Sequence, residues 1–253
     1  TASSPLKIRI MINAIDNCLA HIPHLRHTLT TFPGDHYYRK SVALQSSRRR
    51  HHGRGGGPMR GLWRTPLAGP LAFQAWCLDA RRKYRWVASW LPAAGPVVEI
   101  GSGPGSVLKE FRQCGHDITG LDITDSSYEP SLAPVLYDGG AFPFTDDWFH
   151  TALLLTMLHH TPHPDQILRE AMRVARRLII VEDVYETRWQ ETVTKITDSL
   201  TNLEFIGHPH TNRTDVAWRQ TFEEMNLTLR HHAIYPVAAI FQQAVYVLDR
   251  DDD

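Results

Sequence analysis

The feature that most constrains the fold is a short apolar run that leads into a glycine-rich loop. Residues 97–105 read VVEIGSGPG, with glycine at positions 101, 103 and 105. The run Pro96–Ile100 predicts a strand buried on both faces of a parallel sheet, and a helix is predicted over Ser106–Cys114. Glycine allows positive φ and close approach of a ligand, and the N-terminus of the helix suits an anionic group. The segment therefore predicts a ligand site where a buried strand ends.

Strands and helices alternate along the chain on either side of this segment. Further strands are predicted over Asp117–Asp122, Pro134–Tyr137, His150–Met157 and Leu178–Asp183, helices over about 71–91, 164–176 and 214–225, and a hairpin over Leu227–Tyr235 and Ile240–Leu248. This order predicts an α/β fold with a doubly wound, mostly parallel seven-stranded sheet that ends in an antiparallel hairpin. Ligands of such sheets bind at the carboxyl ends of the strands, where the strand order reverses.

Charge divides the chain into a basic arm and an acidic body. Residues 1–96 hold 15 Lys/Arg against 3 Asp/Glu, and residues 97–253 hold 12 against 24. Residues 1–61 are predicted to be a basic extension that ends in the flexible Gly/Arg-rich segment 46–61, and residues 62–250 a globular domain. No apolar run is long enough to span a membrane, no secretory signal is visible, and the three cysteines form no C-x-x-C pair. These observations favour a cytoplasmic protein without a metal site.

Acidic residues recur where the predicted strands end. Asp122 ends the second strand and Asp138, followed by Gly139, ends the third. A carboxylate at the end of the second strand can accept both hydroxyl groups of a ribose, with Ile123 placed to pack against a base. An acid after the third strand can accept the exocyclic amine of that base. Turn formation is the alternative explanation for each residue taken singly.

Together these segments resemble the class I S-adenosylmethionine-dependent methyltransferases, in particular the group called methyltransferase type 11. The resemblance covers about residues 75–250 and is carried by VVEIGSGPG, GLDI, YDGGAFPFTDDWFHTALLLTMLHH and LREAMRVARRLIIVED. It implies a Rossmann-like methyltransferase fold and S-adenosylmethionine as the cofactor. It also implies a set of cofactor-binding residues: Glu99, Gly101, Ser102, Gly103, Gly105, Asp122, Ile123, Asp138, Gly139 and Thr156. In this set the glycine loop holds the methionine part, and Thr156 with Met157 lines the sulfonium side.

Candidate catalytic and acceptor-binding residues follow the fourth and fifth strands. Methyl transfer needs an acceptor held in line and, for a protic acceptor, a base with a pKa near the working pH. His159 is predicted to be that base, since it follows the fourth strand at the mouth of the site. His160, Glu182, Asp183 and His208 are candidates for contact with the acceptor.

Four functions fit these observations to different degrees. Methyl transfer to an O-, N- or C-nucleophile of a small molecule is the main prediction. The basic arm also fits an RNA-directed methyltransferase whose arginines contact phosphates. A pseudo-methyltransferase that binds the cofactor without turnover is a third reading. A nicotinamide-dependent oxidoreductase is the fourth. Ser106 counts against it, because it stands where the dinucleotide-binding motif G-x-G-x-x-G has its third glycine or an alanine.

Overall fold

The computed structural model describes Gly61 and residues 65–185, 211–237 and 241–250 of the 253-residue chain. The predicted extension, apart from Gly61, lies outside the described residues. The predicted domain division between residues 61 and 62 therefore stays a prediction. Within the described part, no helix is long and apolar enough to cross a membrane.

The described residues form a seven-stranded sheet, as predicted. Its strands are β1 (Val97–Ile100), β2 (Ile118–Asp122), β3 (Val135–Leu136), β4 (Phe149–Leu155), β5 (Ala175–Val184), β6 (Leu227–Val237) and β7 (Phe241–Arg250). The spatial order is β3-β2-β1-β4-β5-β7-β6. The first five strands are parallel, and β7 runs antiparallel to both β5 and β6. The strand order reverses between β1 and β4, so the ligand site is expected at their carboxyl ends.

Four α-helices in the described part cover the two faces of the sheet. They are α1 (Ala68–Val87), α2 (Ser106–Gln113), α3 (Pro164–Val174) and α4 (Asp215–Glu224). A 3-10 turn over Ala88–Trp90 follows α1, so the helix proper ends earlier than the sequence predicts. Between β2 and β3 the described chain has a single 3-10 turn, Pro130–Leu132, in place of a crossover helix.

Alternating side chains of the central strands enter two separate cores. Val98, Leu154 and Ile180 pack in one core with residues of α3 and α4. Val97 and Val181 pack in the other core with residues of α1 and α2. Because neighbouring residues of a strand face opposite sides, a residue's parity along β1 or β5 decides which helices it meets.

Candidate active site

A cavity of about 980 Å³ opens at the carboxyl ends of the parallel strands. Its walls come from the loops that follow β1, β2, β3 and β4, from the end of β5, and from one side of α1. This is the reversal point of the strand order. Two segments that are distant in sequence, α1 and β7, complete the wall with Lys83 and Gln243 among others.

The glycine loop takes a conformation that other residues adopt only with strain. Gly101, Gly103 and Gly105 have φ values of +74°, +49° and +82°. A Cβ at position 101 would lie 3.0 Å from Cβ of Met157, and one at position 105 would lie 2.6 Å from Cβ of Leu132. The loop therefore lies tight between β4 and the Pro130–Leu132 turn, and its bare backbone faces the cavity at Gly101 and Gly103.

Asp122 is joined directly to this loop. Its Oδ2 accepts a hydrogen bond from the backbone N–H of Gly103 at 2.9 Å, and its Oδ1 accepts one from Thr124 at 3.1 Å. Burial raises the pKa of the Asp122 carboxyl, and the N–H of Gly103 opposes that shift. Tyr137 also lines the cavity, and burial together with the charges of Asp122 and Asp138 raises its pKa to about 12.

Two buried polar side chains beneath the loop have no hydrogen-bond partner for one atom among the described residues. They are Oε2 of Glu99 and Oγ of Ser102, and both residues are 4% exposed and line the cavity. Burial raises the pKa of Glu99 well above its ordinary value, and the positive charge of Lys83 opposes the shift. Buried polar atoms are normally paired, so these two fit a ligand that brings hydrogen-bonding groups into the cavity.

Thr156 lies just after β4 in a strained conformation, with φ of +56°. Its backbone N–H donates to the carbonyl of Val181 at 2.6 Å, and its hydroxyl accepts a hydrogen bond from Nζ of Lys83 at 2.7 Å. The ammonium of Lys83 also contacts Asp79 at 2.8 Å. This buried lysine ties α1 to the end of β4, on the side where the sulfonium is predicted.

His159 does not lie at the mouth of the site, which corrects its predicted position. The side chain is 1% exposed and does not line the cavity. Its Nδ1 lies 2.6 Å from Oε2 of the fully buried Glu182, whose Oε1 accepts hydrogen bonds from the backbone N–H groups of Met157 and Leu158. Glu182 thus braces the turn after β4 from below and does not reach the ligand edge. A catalytic role for His159 stays a prediction, and this geometry does not favour it.

The structure brings most of the other predicted residues to the cavity. Ile123, Gly139, His160 and Asp183 line it. Asp138 is exposed, does not line the cavity, and accepts a hydrogen bond from the N–H of Gly140. Gly105 shapes the loop against Leu132 without lining the cavity. His208 lies outside the described residues.

Several polar residues of the cavity wall are absent from the sequence prediction, among them Arg82 and Lys83 of α1 and Gln243 of β7. A signal for Lys83 exists, because it continues the buried stripe of Phe73, Cys77 and Ala80 at helical spacing. The sequence carries no comparable signal for Gln243, since only the antiparallel insertion of β7 beside β5 brings it to the site.

Comparison with known families now decides the class of this domain. Residues 98–178, which run from β1 into β5, match the family model described as a methyltransferase domain. Residues 98–178 lie in a methyltransferase domain. The match confirms the resemblance deduced from the sequence, and with it the prediction that the protein is an enzyme, a methyltransferase. The comparison with curated proteins finds no match to the chain.

Solved structures confirm the Rossmann-like methyltransferase fold at low sequence identity. An S-adenosylmethionine-dependent methyltransferase from Methanosarcina mazei is 16% identical, with a TM-score of 0.51 over 65% of this chain and 96% of that one. Magnesium protoporphyrin IX methyltransferase from Synechocystis, solved with S-adenosylhomocysteine, is 15% identical, with a TM-score of 0.51 over 85% and 97%. Geranyl diphosphate C-methyltransferase from Streptomyces coelicolor is 11% identical, with a TM-score of 0.53 over 67% and 76%.

Proposed function

We propose that this methyltransferase domain transfers the methyl group of S-adenosylmethionine to a small-molecule acceptor held in the same cavity. The observation that carries the proposal is the hydrogen bond between Gly103 and Asp122 at the rim of a cavity of about 980 Å³. It joins the glycine loop after β1 to the acid at the end of β2. The loop backbone suits the methionine part of a sulfonium nucleoside, and the acid suits its ribose. When bound, the cofactor supplies an activated methyl group on a positively charged sulfur.

Each part of the cofactor has a matching group in the cavity. Asp122 would accept the ribose hydroxyls, with Ile123 and Gly139 beside the adenine. The backbone of Gly101 and Gly103 would meet the methionine part of the cofactor. Thr156 would line the sulfonium side.

Unpartnered buried atoms support the fit at the methionine end. Oε2 of Glu99 and Oγ of Ser102 are buried in the cavity without a hydrogen-bond partner among the described residues. The α-ammonium and carboxylate of the cofactor supply donors and acceptors of the kind these atoms lack. The carboxyl groups of Glu99 and Asp122 also favour a ligand that carries positive charge, because such a charge stabilises their ionised form.

The size of the cavity supports a small acceptor beside the cofactor. Cavities of about 300–1,000 Å³ hold one drug-sized ligand, and this one lies at the upper end of that range. Beyond the cofactor residues, its wall continues through His160, Asp183 and Gln243. Two proteins with this fold are named for methyl transfer to magnesium protoporphyrin IX and geranyl diphosphate, so the architecture accommodates acceptors of this size.

The proposal is tested by binding and by methyl uptake with the full chain. We expect calorimetric titration to detect S-adenosylmethionine and S-adenosylhomocysteine but not NAD⁺. Methyl-labelled cofactor is then incubated separately with a small-metabolite extract and with total RNA. Label in the metabolite fraction supports the small acceptor, and label confined to RNA overturns it. Absence of binding to either cofactor form overturns the whole assignment.

A further inference from the structure

We propose that Asp183 binds the reacting O–H or N–H group of the acceptor and takes its proton, and that Gln243 is the positioning residue that aims this carboxylate. The inference rests on the proposed function and names the acceptor class as a protic nucleophile, a hydroxyl or an amine. Three observations support it: the face of β5 on which Asp183 lies, its contact with Gln243, and its closeness to the turn after β4.

The alternation of β5 separates Asp183 from its neighbour Glu182. Val181 belongs to the core that contains α1 and α2, while Ile180 belongs to the opposite core. Asp183 shares the parity of Val181, so it lies on the α1 side, where it lines the cavity and is 8% exposed. Of these two adjacent acids at the end of the strand, Asp183 is therefore the one in a position to meet a ligand.

Gln243 holds Asp183 from the neighbouring antiparallel strand. The two residues are direct partners in the register of β5 and β7, and Nε2 of Gln243 donates to Oδ1 of Asp183 at 2.8 Å. The other end of the same amide accepts a hydrogen bond from Nη2 of Arg82 at 3.2 Å. Because both ends of the amide are engaged, Gln243 has a single favourable orientation, with its donor toward the carboxylate.

Arg82 is itself fixed on α1. Its guanidinium pairs with Asp79 and lies over the ring of Trp86, 5.2 Å from the ring centroid. Trp86 in turn stacks on Tyr235 of β6, with ring centroids 4.4 Å apart. The chain of contacts from α1 through Gln243 to Asp183 thus involves four elements of the fold, namely α1, β5, β6 and β7.

Asp183 also lies close to the place where the methyl group is expected. It follows Val181 by two residues, and the carbonyl of Val181 binds the backbone N–H of Thr156 at 2.6 Å. The charge of Lys83, whose ammonium binds the Thr156 hydroxyl, acts on both Asp183 and Glu99. Asp183 and Thr156, the residue predicted to line the sulfonium side of the cofactor, therefore lie on the same wall of the cavity.

The charges around Asp183 suit a group that gains a proton. Burial raises the pKa of this carboxyl, and the charge of Glu182 adds to the shift. His159 after β4, Lys83 on α1 and the hydrogen bond from Gln243 act in the opposite direction. The further titratable or charged side chains of the described cavity wall are Asp79, Arg82, Glu99, Asp122, Tyr137, His160 and His163.

The step balances without any further reactant. A lone pair of the acceptor oxygen or nitrogen forms a bond to the methyl carbon, and the carbon–sulfur bond breaks with its electron pair remaining on sulfur. The sulfonium becomes a neutral thioether. The proton of the acceptor passes to Asp183, whose carboxylate becomes a neutral carboxylic acid, so the total charge is unchanged.

A cofactor analogue tests this placement before any acceptor is known. In sinefungin, the sulfur and its methyl group are replaced by a carbon that bears an amino group, so a charged amine stands where the methyl would be. The measured quantity is the affinity for sinefungin relative to that for S-adenosylhomocysteine, from calorimetry at pH 5–8. An amine beside Asp183 gains a charge-assisted hydrogen bond that the thioether cannot make.

We expect Asp183→Asn to lower the relative affinity for sinefungin about 10-fold while changing affinity for S-adenosylhomocysteine less than about 2-fold. Gln243→Leu lowers the same ratio about 3-fold, because the carboxylate loses its orienting donor. The matched control is Gln242→Leu, since Gln242 pairs with Val184 on the other face of β7 and does not line the cavity. In the wild type the ratio falls as the pH falls and Asp183 becomes protonated, and in Asp183→Asn it is flat.

Two results overturn the inference and leave the proposed function intact. They are a ratio unchanged by Asp183→Asn and an equal loss of affinity for both ligands. If Asp183→Asn does not fold, the wild-type pH profile decides, and a ratio independent of pH overturns the inference. A wild type that binds neither S-adenosylmethionine nor S-adenosylhomocysteine is instead a failure of the proposed function.

Discussion

The backbone N–H of Gly103 donates a hydrogen bond to Oδ2 of Asp122 at 2.9 Å, which joins the loop after β1 to the acid that ends β2. The N–H of Thr124 binds the other oxygen at 3.1 Å. Backbone groups on two sides thus fix the carboxylate, so its remaining acceptor sites have a defined direction at the rim of the cavity. A ligand that fits this direction gains a preorganised partner.

Removal of the Asp122 carboxylate is expected to weaken cofactor binding. Hydrogen bonds to a charged group contribute about 1.5–3 kcal/mol each, so Asp122→Ala should raise the Kd for S-adenosylhomocysteine by about 10- to 100-fold. Calorimetric titration measures the change. The control is Asp125→Ala, because the Asp125 carboxylate binds Ser127 in the same loop and does not line the cavity. Equal losses in the two variants would contradict the assignment.

Gly105 and Gly115 both have positive φ but differ in packing, so their alanine variants compare the effect of packing on stability. Their φ values are +82° and +89°, but a Cβ at position 105 meets Leu132 at 2.6 Å, whereas one at position 115 meets no atom of the described residues within 4 Å. Gly115→Ala should cost about 1–2 kcal/mol of unfolding free energy through backbone strain alone. Gly105→Ala should cost a further 1–3 kcal/mol, roughly, from overpacking. Urea unfolding measures both values, and equal destabilisation would show that Leu132 moves aside freely.

Glu182 is expected to be structural. Glu182→Leu leaves two backbone N–H groups and Nδ1 of His159 without the acceptor that this carboxylate provides. Each buried donor left unpaired costs about 1–3 kcal/mol, so the variant should lose at least about 3 kcal/mol of unfolding free energy. Glu182→Gln keeps one acceptor oxygen and should lose less. Urea unfolding with fluorescence detection compares the two, and a fully stable Glu182→Leu would contradict this role.

Glu99→Gln is expected to raise the stability of the fold at pH 7 and to weaken cofactor binding. The folded pKa of Glu99 lies well above its ordinary value of 4.5, since burial disfavours the anion. The folded state therefore holds this proton more tightly than the unfolded chain, and wild-type stability falls as the pH rises from about 4.5 through the folded pKa. Glutamine does not titrate, so Glu99→Gln should gain stability relative to the wild type at pH 7 and little at pH 4.

The same variant should bind S-adenosylmethionine more weakly, because the charge available to the cofactor's ammonium is lost. Thermal unfolding at pH 4 and pH 7 measures the stability difference, and calorimetry measures the binding. A stability difference that shrinks as the pH rises would contradict the shifted ionisation of Glu99.

Local sequence determined the strand–loop–helix unit at Val97–Gln113 and the succession of strands and helices along the chain. Those features depend on short-range physics, namely apolar runs that need burial on both faces and glycines that permit positive φ. The same reasoning placed Asp122 at the end of β2, next to the loop, because carboxyl ends of adjacent parallel strands meet at one edge. The family match over residues 98–178 confirms the resemblance to methyltransferases that these segments carry.

Only the tertiary structure decided which of several neighbouring polar residues reach the cavity. His159 and His160, like Glu182 and Asp183, are adjacent in sequence, yet one member of each pair is buried away from the cavity and the other lines it. Lys83 and Gln243 enter the wall from α1 and from an antiparallel strand near the end of the described chain. Their contacts depend on which face of the sheet carries the cavity, and that is set by long-range packing of helices that no local pattern records.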